Sequence, residues 1–143
     1  MTPSRVSAFV LRRRVLFHEL DSAGIVHFSN FFRYLEEAEH ALWRAAGLSI
    51  APPGAAVGFP RVAASFDYKR PLRFEEEIDV HIRIAAIGRT SLRYECEIKR
   101  DGETVATGSV TSVCVSKNAD GTMAPTPIPR DIVDRFEVAA GHA

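Results

Sequence analysis

The sequence predicts an α+β domain in which one long helix covers an antiparallel sheet. Three observations predict it. From Asn30 to Ala46 the apolar residues fall at helical spacing, and nowhere else is that spacing sustained. After Pro60, four stretches alternate apolar and polar residues at the strand period. The turn signals between those stretches are short, and tight turns join antiparallel neighbours.

The elements follow in order. Phe9 to Phe17 alternates loosely and reads as a first strand. Asp21, Ser22, Ala23 and Gly24 form a turn-prone stretch. Ser29 and Asn30 are helix-start residues. Beyond them Phe31, Leu35, Ala38, Leu42 and Ala45 share one helical face, with Arg33, Glu37, His40 and Arg44 opposite. Gly47 stands where a C-terminal cap belongs. Ala51 to Pro60 is a low-charge loop of Pro, Gly and Ala, read as mobile or held by a partner subunit.

The strands then come in succession. Val62, Ala64, Phe66 and Tyr68 alternate with smaller or polar residues. Ile78, Val80, Ile82 and Ile84 alternate with Asp79, His81 and Arg83; Leu92, Tyr94, Cys96 and Ile98 alternate with Arg93, Glu95 and Glu97. Asp101-Gly102 is a hairpin signal leading into a long strand from Thr104 to Ser116. Asn118 to Gly121 makes a turn, and a short helix is expected from Arg130 to Phe136. One helix cannot easily cover five long strands, so the sheet edge favours a second copy.

Composition bounds the function classes. A chain of 143 residues fits a single domain spanning 1–143, with its core at about 9–137. Eighteen basic and 18 acidic residues give zero net charge, which argues against a nucleic-acid binder working by bulk charge. Cys96 and Cys114 lack CxxC spacing and read as buried thiols of a reducing compartment. In Met1 to Arg14 the basic cluster follows the apolar residues, the wrong order for a signal peptide. No run approaches the roughly 20 apolar residues that span a bilayer. A cytoplasmic protein without membrane insertion is expected.

The chemistry concentrates between Phe17 and Phe31, where the first strand joins the helix. An acidic residue, Asp21, and a glycine, Gly24, precede the helix start. A helix N-terminus offers unpaired N–H groups and a positive dipole end, which favour a forming oxyanion. A nearby carboxylate can attack a carbonyl or activate water to do so. On residue type alone, an Asp in such a turn is more often a turn residue or cap than a catalytic group.

As a unit, Asp21-Ser22-Ala23-Gly24-Ile25-Val26, then Asn30-Phe31 and Arg33-Tyr34-Leu35, resembles the signature of the 4-hydroxybenzoyl-CoA thioesterase family, which includes the acyl-CoA thioesterases of the Tol–Pal type. Arg14-Val15, Gly58-Phe59-Pro60, Pro71-Leu72, Ile87-Gly88-Arg89-Thr90-Ser91 and Ile128-Pro129 support it at lower specificity. The resemblance implies the hot-dog fold, a five-stranded antiparallel sheet wrapped around one long helix. It implies a homodimer with sites at the subunit interface, often paired into a homotetramer. It implies hydrolysis of acyl-CoA without metal or bound cofactor, CoA entering only as part of the substrate.

Carried across, Asp21 matches the catalytic aspartate, as nucleophile or general base. The backbone N–H of Phe28 matches the group that polarises the thioester carbonyl. Gly24 would let backbone approach the ligand. Arg89, Thr90 and Ser91 would contact the nucleotide, Arg89 as the phosphate ligand. His27 stands one place from where related enzymes carry a histidine, and would line the acyl pocket or face a neighbour. Leu20 replaces the family's Thr or Cys, a packing change. The rival functions are a hot-dog dehydratase or hydratase acting on acyl thioesters, and a non-catalytic acyl-thioester binder.

The remaining candidates read blandly. His18-Glu19 lacks a further ligand at metal spacing and reads as surface. Glu36 and Glu39 share a helix side with Phe32 and Trp43 and read as solvated or interfacial. Lys69, Arg70 and Arg73 flank Pro71 as a solvated loop able to meet CoA phosphates. No GxSxG, phosphate-binding loop or Cys/His nucleophile pair is present.

Overall fold

The apolar residues from Ile78 to Ile84 and from Leu92 to Ile98 are buried where the sequence places them, whereas Val62, Ala64 and Tyr68 are exposed. In the computed structural model, which describes residues 5–140, strands β1 (Ala8–Arg14), β3 (Arg61–Tyr68), β4 (Glu77–Ile87), β5 (Ser91–Arg100) and β6 (Glu103–Val113) form one sheet. Its order is β1-β4-β5-β6-β3, and every pairing is antiparallel. The ends of the 1–143 domain span, and the first residues of the Met1–Arg14 segment, lie outside the described residues.

Helix α1 (Asn30–Ala45) packs on the inner face of this sheet. Phe31, Tyr34, Leu35, Ala38, Leu42 and Trp43 are buried against Val80, Ile82, Ile84, Leu92, Tyr94 and Ile98. Each large apolar side chain so buried contributes about 1.5–3 kcal/mol. The polar tips inside are satisfied: the Trp43 indole N–H donates to the Tyr94 hydroxyl at 3.0 Å. Gly47 ends the helix at φ +78, where a side chain would be strained, and its N–H donates to the Arg44 carbonyl at 2.9 Å. The β5–β6 hairpin turns on Asp101 and Gly102, both at positive φ, as Asp-Gly predicts.

Several expectations need correction. The buried helix face is rotated toward Tyr34, Ala41 and Trp43, and Ala45 is exposed. The first strand stops at Arg14, and Phe17–Glu19 forms a 3-10 turn. The Pro/Gly/Ala loop contains a short strand, β2 (Val57–Gly58). The long final strand breaks at Cys114 into β6 and β7 (Val115–Lys117). With β8 (Met123–Pro125), these make a second sheet of order β2-β7-β8. Cys114 is fully buried and its N–H bonds the Thr90 carbonyl at 2.6 Å, which pulls the chain out of the main ladder. Helix α2 spans only Arg130–Val133, with Phe136 buried just beyond it. Both cysteines are buried free thiols.

Glu39 is a further correction. It is fully buried, not solvated. Its carboxylate accepts two Arg61 N–H groups at 2.6 and 2.8 Å, and Arg61 also donates to Ser112 Oγ at 2.9 Å. A buried carboxylate is tolerable only when so paired.

Candidate active site

The loop before α1 is built around Asp21. Its backbone N–H donates to the Ile25 carbonyl at 2.8 Å, and its carbonyl accepts the Gly24 N–H at 3.0 Å. Gly24 closes this turn at φ +80, a conformation other residues adopt only with strain. The carboxylate folds back on the turn: Oδ1 accepts Ala23 N–H at 2.8 Å and Ile25 N–H at 3.4 Å. The other oxygen, Oδ2, meets no donor among the described residues. The loop is tied down by Val26 N–H to the Leu72 carbonyl at 2.8 Å and by a bridge between Ile25 and Arg73.

Asp21 opens into a cavity of about 460 Å³. Its walls are apolar and aromatic: Ile25, Val26, Phe28, Phe31 and the Tyr68 ring. Phe31 meets Tyr68 edge to face, with ring centroids 4.9 Å apart. Lys69 and Arg70 line the rim, beside Pro71. Phe28 sits in the turn that starts α1. Its N–H meets no acceptor among the described residues, while its carbonyl accepts the Tyr68 hydroxyl at 3.0 Å. Asp21 and Phe28 are therefore brought together on one cavity, the first with an uncommitted carboxylate oxygen and the second with an uncommitted N–H.

Other expected site residues lie elsewhere. His27 does not line this cavity. Its ring stacks on Phe28 at 4.5 Å, its Nδ1 bonds Ser29 Oγ at 2.8 Å, and it opens onto a separate polar groove with His18, Arg33 and Glu37. Arg89, Thr90 and Ser91 form the β4–β5 turn, where Gly88 N–H meets the Ser91 carbonyl at 2.8 Å. Tyr68 pairs with Ala106 and Ser91 with Val113, so seven residues of β6 separate the turn from the cavity end. At ~3.3 Å per residue that is about 23 Å within one chain.

Glu19 and Tyr68 carry roles the sequence did not assign them. Glu19 is 6% exposed, not a surface companion of His18. Its Oε2 accepts both Arg13 Nη groups at 2.8–2.9 Å, and its Oε1 accepts Leu16 N–H at 2.8 Å and the Tyr34 hydroxyl at 2.9 Å. Burial alone would raise its pKa; the Leu16, Arg13 and Tyr34 donors together outweigh burial and hold it below the usual value. Burial, then the Glu19 charge, pushes the Tyr34 hydroxyl well up. The Glu19 carbonyl accepts His27 N–H at 2.9 Å and the Asn30 amide at 2.8 Å, joining the loop to the helix start. Its signal in the sequence was an acidic residue two positions before Asp21, indistinguishable there from a solvated one.

Among the described residues, no three His, Cys, Asp or Glu side chains gather as a metal site, and no helix is long and apolar enough to cross a membrane.

The comparisons with known proteins agree with this architecture. The family model described as the thioesterase-like superfamily matches residues 15–136. A presumed esterase of Aquifex aeolicus is 31% identical over 127 residues, 88% of this chain and 95% of its own. A 1,4-dihydroxy-2-naphthoyl-CoA hydrolase of Synechococcus elongatus is 25% identical over 135 residues, 92% of this chain and 97% of its own. The solved structure of a gentisyl-coenzyme A thioesterase superposes with a TM-score of 0.80 at 27% identity, covering 90% of this chain and 100% of that one.

Proposed function

The chain belongs to the thioesterase-like superfamily, and on that premise we propose that it hydrolyses acyl-CoA thioesters in the cavity shared by Asp21 and Phe28. It is a thioester hydrolase of the hot-dog fold. One observation carries the site assignment: a carboxylate oxygen with no donor, and a helix-start N–H with no acceptor, among the described residues line the same cavity.

The chemistry follows from that pairing. The thioester oxygen accepts the Phe28 N–H, and the positive end of α1 favours the charge it gains. Asp21 takes a proton from water as the hydroxide adds to the carbonyl carbon. The tetrahedral oxyanion collapses, the C–S bond breaks, and the CoA thiolate receives the proton. Direct attack by Asp21 uses the same geometry and passes through an anhydride that water then opens. A single turnover in ¹⁸O-water separates the two routes, since only direct attack labels the Asp21 carboxylate.

The aromatic walls support an aryl acyl group. Phe28, Phe31 and Tyr68 offer edges and faces to a ring, and two of the related proteins named above act on aryl-CoA esters. The exposed edge of β3 supports a homodimer: Val62, Ala63, Ala64 and Ser65 are exposed along it. Antiparallel pairing of two such edges would set the Arg61 end of one strand beside the Tyr68 end of the other. The partner's Arg89 turn would then lie at the same end of the joined sheet as this chain's Asp21. That arrangement reconciles Arg89 as a CoA phosphate ligand with its distance inside one chain. Two buried free thiols support a reducing, cytoplasmic setting.

The test is thiol release across a panel of aliphatic and aromatic acyl-CoAs. Aromatic esters are expected to turn over fastest. Asp21→Asn should lower kcat by roughly 10³-fold or more with folding intact; unchanged turnover in that variant would sink the assignment.

A further inference from the structure

We propose that Tyr68 and Asn30 are positioning residues that hold the backbone on both sides of Phe28, and so keep its N–H aligned on the developing oxyanion. This rests on the hydrolase reading above.

The donor peptide is the one joining His27 to Phe28, and the contacts around it are specific. The Phe28 carbonyl accepts the Tyr68 hydroxyl at 3.0 Å. On the other side, the His27 carbonyl accepts the Asn30 backbone N–H at 2.9 Å. The Asn30 side-chain amide donates to the Glu19 carbonyl at 2.8 Å, the same oxygen that accepts His27 N–H at 2.9 Å. The donor peptide is thus tied to the Asp21 loop through Asn30, and the next peptide, Phe28–Ser29, to the end of β3 through Tyr68.

Each partner is itself held. The Tyr68 ring meets Phe31 edge to face at 4.9 Å and stacks near Phe66 at 6.1 Å. A tyrosine hydroxyl keeps its proton at neutral pH and so remains a donor there. The Glu19 that anchors Asn30 is fixed in turn by Arg13 and Tyr34. The Phe28 ring, by contrast, is 62% exposed and gives its backbone little packing support. A turn residue without a buried side chain needs such external bonds to stay in one conformation. Fixed donors stabilise an oxyanion because they need no reorganisation when the charge forms.

Tyr68→Phe is the discriminating variant, because it keeps the ring and removes only the hydroxyl. Its kcat is expected to fall about tenfold, on the scale by which small displacements of a catalytic group slow a reaction. KM and the affinity for a non-hydrolysable CoA thioether, which develops no oxyanion, should stay within about twofold. Thermal stability should be close to wild type. Asn30→Ala, tested alongside, should lower kcat at least as much. A Tyr68→Phe enzyme with wild-type kcat, or one in which thioether affinity falls as much as kcat, overturns the proposal. A wild-type protein that releases thiol from no ester overturns the hydrolase reading and this inference together; activity in wild type with no loss in Tyr68→Phe overturns this inference alone.

Discussion

Glu19 gathers four donors on one carboxylate: two from Arg13, one from Leu16 and one from Tyr34. The Arg13 guanidinium, 12% exposed at its side chain, also lies 4.4 Å over the Tyr34 ring. Because the folded pKa of Glu19 lies below its unfolded value near 4.5, the unfolded chain binds the proton first as pH falls. The stability it contributes is complete above that value and is lost as pH drops through the lower folded pKa. Glu19→Gln should therefore cost about 2–3 kcal/mol at pH 7, leaving Arg13 only the half-exposed Glu37 carboxylate at 3.3 Å as counter-charge. It should also flatten the acid limb of a stability curve measured by urea unfolding from pH 3 to 7. An acid limb as steep as wild type would show that other carboxylates carry it. Asp21 was visible in the sequence because the stretch from Asp21 to Leu35, taken as a unit, resembles a thioesterase signature; the glycine turn and helix start permit the site without selecting it. The sequence could not make Glu19 visible, since Arg13 and Tyr34 reach it only through the fold.

At the scale of elements, β3 is one of the two edges of the main sheet, with four consecutive exposed residues from Val62 to Ser65. Its alternation is legible in the sequence, but an edge strand and a central strand share that pattern, and only the sheet order β1-β4-β5-β6-β3 sets it outermost. In a two-fold pairing of β3 with its copy, Ala64 and Ser65 lie nearest the axis. Ala64→Lys combined with Ser65→Lys would place like charges together there. Light scattering should show a shift from dimer to monomer, and circular dichroism an unchanged fold. A double variant that remains dimeric would remove β3 from the interface. The break at Cys114 was hidden for a related reason. Thr104 to Ser116 reads as one run of Val and Thr, and the division between two sheets comes from the Thr90 carbonyl and Val57–Gly58, which are distant in sequence.

For the whole molecule, the question is whether a site draws on one chain or two. Asp21 and Arg89 stand at opposite ends of the sheet within a chain. If the partner supplies Arg89, a dimer of one Asp21→Asn chain and one Arg89→Ala chain holds one intact site and one doubly altered site. Co-expressing the two should restore low-KM turnover to about a quarter of wild type, as random pairing of symmetric dimers dictates. Absence of any recovery would place both residues in the same chain's site, and a wild-type KM in the Arg89→Ala homodimer would remove Arg89 from it.

The sequence alone determined the α+β architecture, the long helix, the alternating core strands and the Asp21–Gly24 turn before the helix. Those depend on local periodicity and on which residues tolerate a given φ and ψ, quantities written along the chain. Tertiary structure alone decided that His27 turns away from the Asp21 cavity, that Glu19 and Glu39 are buried against Arg13 and Arg61, and that Tyr68 reaches the Phe28 carbonyl. Those depend on the direction of side chains across elements separated by up to 40 residues, which no local pattern encodes.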